Sequence, residues 1–142
     1  MDIINDISWR IENCPDVAEL YCIDDYPRKI TGDEWEKVVF EDGVNKLRLP
    51  THRFCQEYEY ITFYGKTKVE EIINKIYDFY QSEIDENKIF NYQEDCLGFI
   101  EWAKDEISKG NVPTWIEIMG DKKFFEGLLK IKDNVWQMQL GS

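Results

Sequence analysis

Apolar residues fall at helical spacing in two parts of the chain and alternate with polar ones in several others. Val69, Ile72, Ile73, Ile76 and Tyr80 recur at i, i+3, i+4, i+7 and i+11, drawing one apolar stripe along a helix. Ahead of them Thr67-Lys68-Val69-Glu70 has the spacing of a capping box, in which hydroxyl and carboxylate satisfy orphan backbone N–H groups reciprocally. The pattern predicts a helix over about 68–82. Before it, Tyr58-Glu59-Tyr60-Ile61-Thr62-Phe63 mixes aromatic and β-branched residues and predicts a half-buried strand.

A second stripe, Tyr92, Cys96, Phe99, Ile100, Ala103 and Ile107, predicts a further helix, with Gly110 as its C′ residue and Pro113 just beyond. Gly98 falls inside that helix, at a cost of about 1 kcal/mol relative to Ala, which points to close packing there. Residues 3–12 fit both periods, because Ile7, Trp9 and Ile11 alternate while Ile3, Ile4, Ile7 and Ile11 make a helical stripe. Val17 to Ile23 and Thr114 to Met119 read as strands. Trp35 to Glu41 and Val44 to Leu49 flank Asp42-Gly43, a strong short-range hairpin signal. Phe124 to Ile131 and Val135 to Leu140 form another hairpin around Lys132-Asp133-Asn134, with Leu129 and Ile131 on one arm and Trp136, Met138 and Leu140 on the other sharing a buried face. The sum is one α+β domain over 1–142, a mainly antiparallel sheet built from hairpins with two amphipathic helices packed on one face.

Length and charge narrow the function. The chain has 142 residues, enough for one domain with a real core. No segment approaches the run of about 20 apolar residues that a membrane span needs. The N-terminus lacks a basic stretch followed by a long apolar run, so no secretory signal is read there. Cys14, Cys22, Cys55 and Cys96 are widely spaced and suit free, mostly buried thiols in a reducing, cytoplasmic setting, with a disulfide framework as the alternative. Net charge is −12, from 29 acids against 17 bases. That sign disfavours nucleic acid and anionic membrane surfaces and favours a basic partner.

Few residues offer chemistry. Gly65-Lys66-Thr67 stands where a P-loop would end, but the glycine required five residues earlier is Tyr60, within the predicted strand. His52 is the single histidine; with Cys55 it supplies at most half a zinc site, so no metal or cofactor is expected. The acid pairs Glu70-Glu71 and Glu94-Asp95 fall in predicted first helical turns, where the macrodipole already favours anions. The candidate binding residues are tryptophans. Trp115 and Trp136 with Glu117 have the composition of a cage for a cationic or purine-like ring, and Trp35-Glu36 has the same character. Trp102 falls at the edge of its helix's apolar stripe and is a candidate for partner contact.

Ile76-Tyr77-Asp78-Phe79-Tyr80, and Phe124-Phe125-Glu126-Gly127-Leu128 running into Val135-Trp136-Gln137-Met138-Gln139-Leu140-Gly141-Ser142, resemble poorly characterised proteins of large DNA viruses of protists, over about the last 85 residues. The resemblance implies a viral origin, a host-cytoplasmic or virion location and a native Gly141-Ser142. It carries no activity and no functional residues. The reading that follows is a non-enzymatic acidic module binding another macromolecule, a protein of basic character. A small-molecule or cap-like purine binder with an aromatic cage is the second reading, and a carboxylate-based hydrolase the third.

Overall fold

The computed structural model describes residues 3–21, 26–51, 58–90 and 98–141. After a 3-10 turn at Ile3–Asp6 come β1 (Ile7–Arg10), a second 3-10 turn at Pro15–Val17, β2 (Glu19–Leu20) and β3 (Arg28–Lys29). Then follow α1 (Gly32–Trp35), β4 (Val38–Phe40), β5 (Val44–Pro50), β6 (Tyr58–Tyr64), β7 (Thr67–Lys68) and α2 (Val69–Gln81). The chain continues through α3 (Glu86–Phe90), α4 (Phe99–Ser108) and α5 (Trp115–Ile118) to β8 (Phe124–Lys132) and β9 (Val135–Gly141).

Among the described residues the strands form a seven-stranded sheet in the order β3-β2-β1-β8-β9-β5-β6 and a two-stranded sheet, β4-β7. All pairings are antiparallel except β5 with β9, where Leu47 lies beside Trp136. The expected α+β architecture, mostly antiparallel with helices on the sheet, is what the chain adopts.

The predicted α2 stripe is the heart of the core. Val69, Ile72, Ile73, Ile76 and Tyr80 are all buried, in one cluster with Leu47, Leu49, Phe63, Phe125 and Met138 from the inner face of the sheet. Full burial of each such side chain stabilises by roughly 1.5–3 kcal/mol. Tyr80 donates its hydroxyl to the Pro50 carbonyl at 2.6 Å, which pins α2 to the end of β5.

Several local expectations are corrected. Thr67 makes no capping box: it pairs with Phe40 in the small sheet, its hydroxyl donates to the Gly65 carbonyl at 3.0 Å, and the α2 N-cap is Lys68. The capping box is at Thr31 instead. Glu34 N–H donates to Thr31 Oγ1 at 3.2 Å, and Thr31 N–H donates to Glu34 Oε1 at 2.9 Å. That box starts α1, so Trp35 ends a helix and does not open a strand. Asp42-Gly43 does not close a hairpin, because β4 pairs with β7 while β5 pairs with β6 and β9. Val17 lies in the second 3-10 turn, and among the described residues of the following stretch Glu19–Leu20 is strand.

The stretch Thr114 to Met119 holds a helical turn, Trp115–Ile118: Trp115, Ile116, Ile118 and Met119 are buried and Glu117 alone is exposed, too short a run to separate helix from strand by period. Gly98 is not inside a helix but caps α4 with φ 72°, a left-handed conformation that suits glycine. In β8, Gly127 (φ 96°) sits at a register shift between Phe125 and Leu128. The shift turns Leu128 inward and leaves Leu129 and Ile131 exposed, the opposite of the expected face. Cys14, expected among mostly buried thiols, is exposed on the turn before Pro15. Tyr92, His52, Cys22, Cys55, Cys96 and Glu94-Asp95 lie outside the described residues.

Candidate functional site

The tryptophans separate into different environments. Trp115 is 3% exposed, stacked on Phe79 with ring centroids 5.3 Å apart and planes 16° apart. Its backbone N–H donates to the Ser82 carbonyl (3.1 Å), and the Ile84 backbone N–H donates to the Pro113 carbonyl (2.9 Å). Glu117, two residues on, is exposed. Trp136 is half-buried on the inner side of β9, tilted against Phe40 at 5.4 Å, with its indole N–H donated to Asn45 Oδ1 at 3.4 Å. Trp115 stacks on half-buried Phe79, whereas Trp136 is tilted against buried Phe40 and carries Lys130 Nζ 5.9 Å from its ring centroid, so the two meet different partners. Trp102 is 41% exposed on α4, whose Ile100 and Ala103 are buried.

Trp35 is placed differently. Its short helix is fixed from both sides. The Thr31–Glu34 box holds the start, and Arg28 grips Glu34 through two bonds, Nη1 to Oε1 at 2.7 Å and Nη2 to Oε2 at 2.8 Å. These bonds, the Arg28 guanidinium first, hold the Glu34 carboxyl well below the usual carboxylate range, at about 2. Just past α1, the Lys37 carbonyl accepts the Val69 N–H at 2.9 Å, which ties this segment to the start of α2. So anchored, the half-buried Trp35 packs on the core with one side and lines a surface concavity of about 280 Å³ with the other. Pro15, Asp16, Gly32, Glu36, Glu70 and Asn74 complete that lining.

A second concavity of about 390 Å³ adjoins it, sharing Glu36, Glu70 and Asn74 and adding Lys68, Glu71 and Lys75. Together they make a groove along the first turns of α2. Asp16, Glu36, Glu70 and Glu71 are all exposed on its rim. Lys68 forms an ion pair with Glu36, whose hydrogen bond raises the Lys68 pKa.

The groove therefore offers an aromatic face beside several solvated carboxylates. A cation held there meets both the ring quadrupole and negative charge. Acids do converge in one cleft, as a carboxylate hydrolase would need. They are water-exposed, however, whereas an acid tuned for proton transfer is ordinarily shielded from water. Among the described residues no three His, Cys, Asp or Glu side chains converge to hold a metal ion. No described helix is long and apolar enough to cross a membrane.

The sequence singled out Trp35-Glu36 but missed Asp16 and Asn74, which come from a separate turn and from mid-helix. The sequence reads Glu70 as a capping-box and helix-dipole residue, not as part of a site. The missed signal was Thr31-x-x-Glu34, a capping box that announces a helix delivering Trp35 to α2. Comparison with protein families, with curated proteins and with solved structures returned no match.

Proposed function

We propose that this chain is a non-enzymatic interaction module whose Trp35 groove receives a lysine or arginine side chain of a basic protein partner. One observation carries the reading: a half-buried indole, packed on the core, lines a concavity rimmed by Asp16, Glu36 and Glu70. The −12 net charge supports it, since the summed field would attract a basic partner before contact. Lys68 occupies Glu36 in the free protein, so an incoming cation exchanges with it instead of meeting a bare carboxylate. The resemblance to viral proteins would set this interaction in the cytoplasm of an infected protist.

The test is an NMR titration with an arginine-rich peptide. The Trp35 indole N–H resonance should shift on binding. Trp35→Ala should weaken affinity about fivefold, within the range for a cation on an aromatic face. Asp16→Asn with Glu70→Gln should flatten the salt dependence. Resonance shifts confined to other tryptophans, or unchanged affinity in Trp35→Ala, would refute the assignment.

A further inference from the structure

The β5–β6 end of the sheet face turned away from α2 has a charge pattern opposite to that of the whole molecule. Along β5 and β6, Val44, Lys46, Arg48 and Pro50 lie opposite Tyr64, Thr62, Tyr60 and Tyr58. The two-residue period of a strand puts these positions on one face, since Asn45, Leu47 and Leu49 between them are buried on the other. The only charged residues among them are Lys46 and Arg48, in a chain that carries 29 acids. The acid of β6, Glu59, pairs across with buried Leu49, points to the helix side and is ion-paired to Lys88 of α3.

Tyr60 and Tyr64 are 56% and 75% exposed. Arg48 is held across this face: its Nε donates to Gln137 Oε1 at 3.0 Å, and its guanidinium carbon sits 4.5 Å from the Tyr58 ring centroid. Gln137 is in turn fixed by its own amide on Met138 O at 2.9 Å. The cation is therefore preorganised beside aromatic rings that stand in water.

We propose that the β5–β6 face is a stacking platform for single-stranded nucleic acid, with bases on Tyr60 and Tyr64 and phosphates at Lys46 and Arg48. Charge complementarity selects an anionic occupant. The rings select among anions: an acidic peptide would use the two cations and leave the tyrosines without partners, whereas bases stack on any π-face. Tyr60 and Tyr64 stand on one strand about 13 Å apart at the usual strand rise, and Tyr58 extends the row by about 7 Å. An extended strand of a few nucleotides would lie along it. The disfavour that the −12 total imposes is a long-range term, and at about 0.1 M salt a Debye length of about 10 Å confines it. The platform is independent of the Trp35 groove.

The experiment is fluorescence anisotropy of a short fluorescein-labelled oligo-dT at about 0.1 M salt, run beside a labelled polyglutamate peptide. Oligo-dT should bind. Tyr60→Ala and Tyr64→Ala should each weaken it about fivefold or more, as expected for losing one base stack. Lys46→Glu should weaken binding and lower the salt slope by about 1. Trp35→Ala should leave it unchanged. Circular-dichroism melts confirm that each variant is folded. No binding of oligo-dT by the wild-type protein, or retained affinity in the Tyr60→Ala/Tyr64→Ala double variant, overturns the proposal. Preference for polyglutamate over oligo-dT also overturns it and reassigns the face to an acidic protein.

Discussion

Tyr80 shows how much one atom does here. Its ring closes the α2 stripe, and its hydroxyl reaches Pro50 O from a fully buried position. In Tyr80→Phe the carbonyl loses that partner, which costs about 1–3 kcal/mol and lowers the melting temperature by about 3–8 °C. Burial also pushes the phenol well above its ordinary value of 10.0. The unfolded chain therefore ionises this group first as pH rises. The stability it contributes is complete below pH 10 and is lost as pH climbs toward the raised folded value. Denaturation melts above pH 10, the ordinary phenol value, should fall more steeply for the wild-type protein than for Tyr80→Phe. Equal slopes would refute the linkage.

Residue patterns were only partly readable at this scale. Thr31, Thr67 and Thr114 all head a Thr-x-x-Glu, yet only Thr31 forms the box. Thr67 is taken by a strand pairing, and Thr114 Oγ1 is buried without a hydrogen-bond partner. The local spacing is necessary for the motif but cannot say which competing contact the fold will choose.

At the level of elements, Gly127 sets the phase of the C-terminal hairpin. A Cβ added there would lie 2.6 Å from Asn5 Oδ1 and 3.3 Å from Asn5 Cα. That same Oδ1 accepts the Leu128 N–H at 2.9 Å. Gly127→Ala should cost about 2–4 kcal/mol, combining backbone strain with the disturbed hydrogen bond. Gly43→Ala has a similar positive φ of 77° but open space around it, and should cost only about 1–2 kcal/mol. Urea midpoints of the two variants give the comparison; equal losses would mean that conformation alone matters at Gly127.

Element legibility follows the same logic. The α2 stripe and the Val44–Leu49 strand were legible because each has one wet side and one dry side, and Tyr58–Phe63 and Val135–Leu140 because their residue types favour strand. α5 was not, since one turn with a single exposed residue, Glu117, is too short to show a period. The bulge was not, since one inserted residue reverses the phase without altering composition. The groove was half legible: a tryptophan next to a glutamate stood out, but Asp16 and Asn74 reach it only through the tertiary fold.

For the whole molecule, the excess of acids imposes mutual repulsion on the compact state. Raising salt from near zero to about 0.2 M should screen it and increase the melting temperature by a few degrees. A melting temperature that stays level or falls would show that attractive pairs such as Arg28–Glu34 outweigh the net repulsion. The order of strands has a further consequence. The β8–β9 hairpin lies between β1 and β5 in the middle of the sheet, although it is the last strand pair in the sequence. On the ribosome, β1 and the β5–β6 pair emerge long before the strands that join them. Until Phe124–Gly141 arrives, Leu47, Leu49 and Phe63 belong to a sheet fragment with an unclaimed edge, and nascent chains in that interval are natural clients for a holding chaperone.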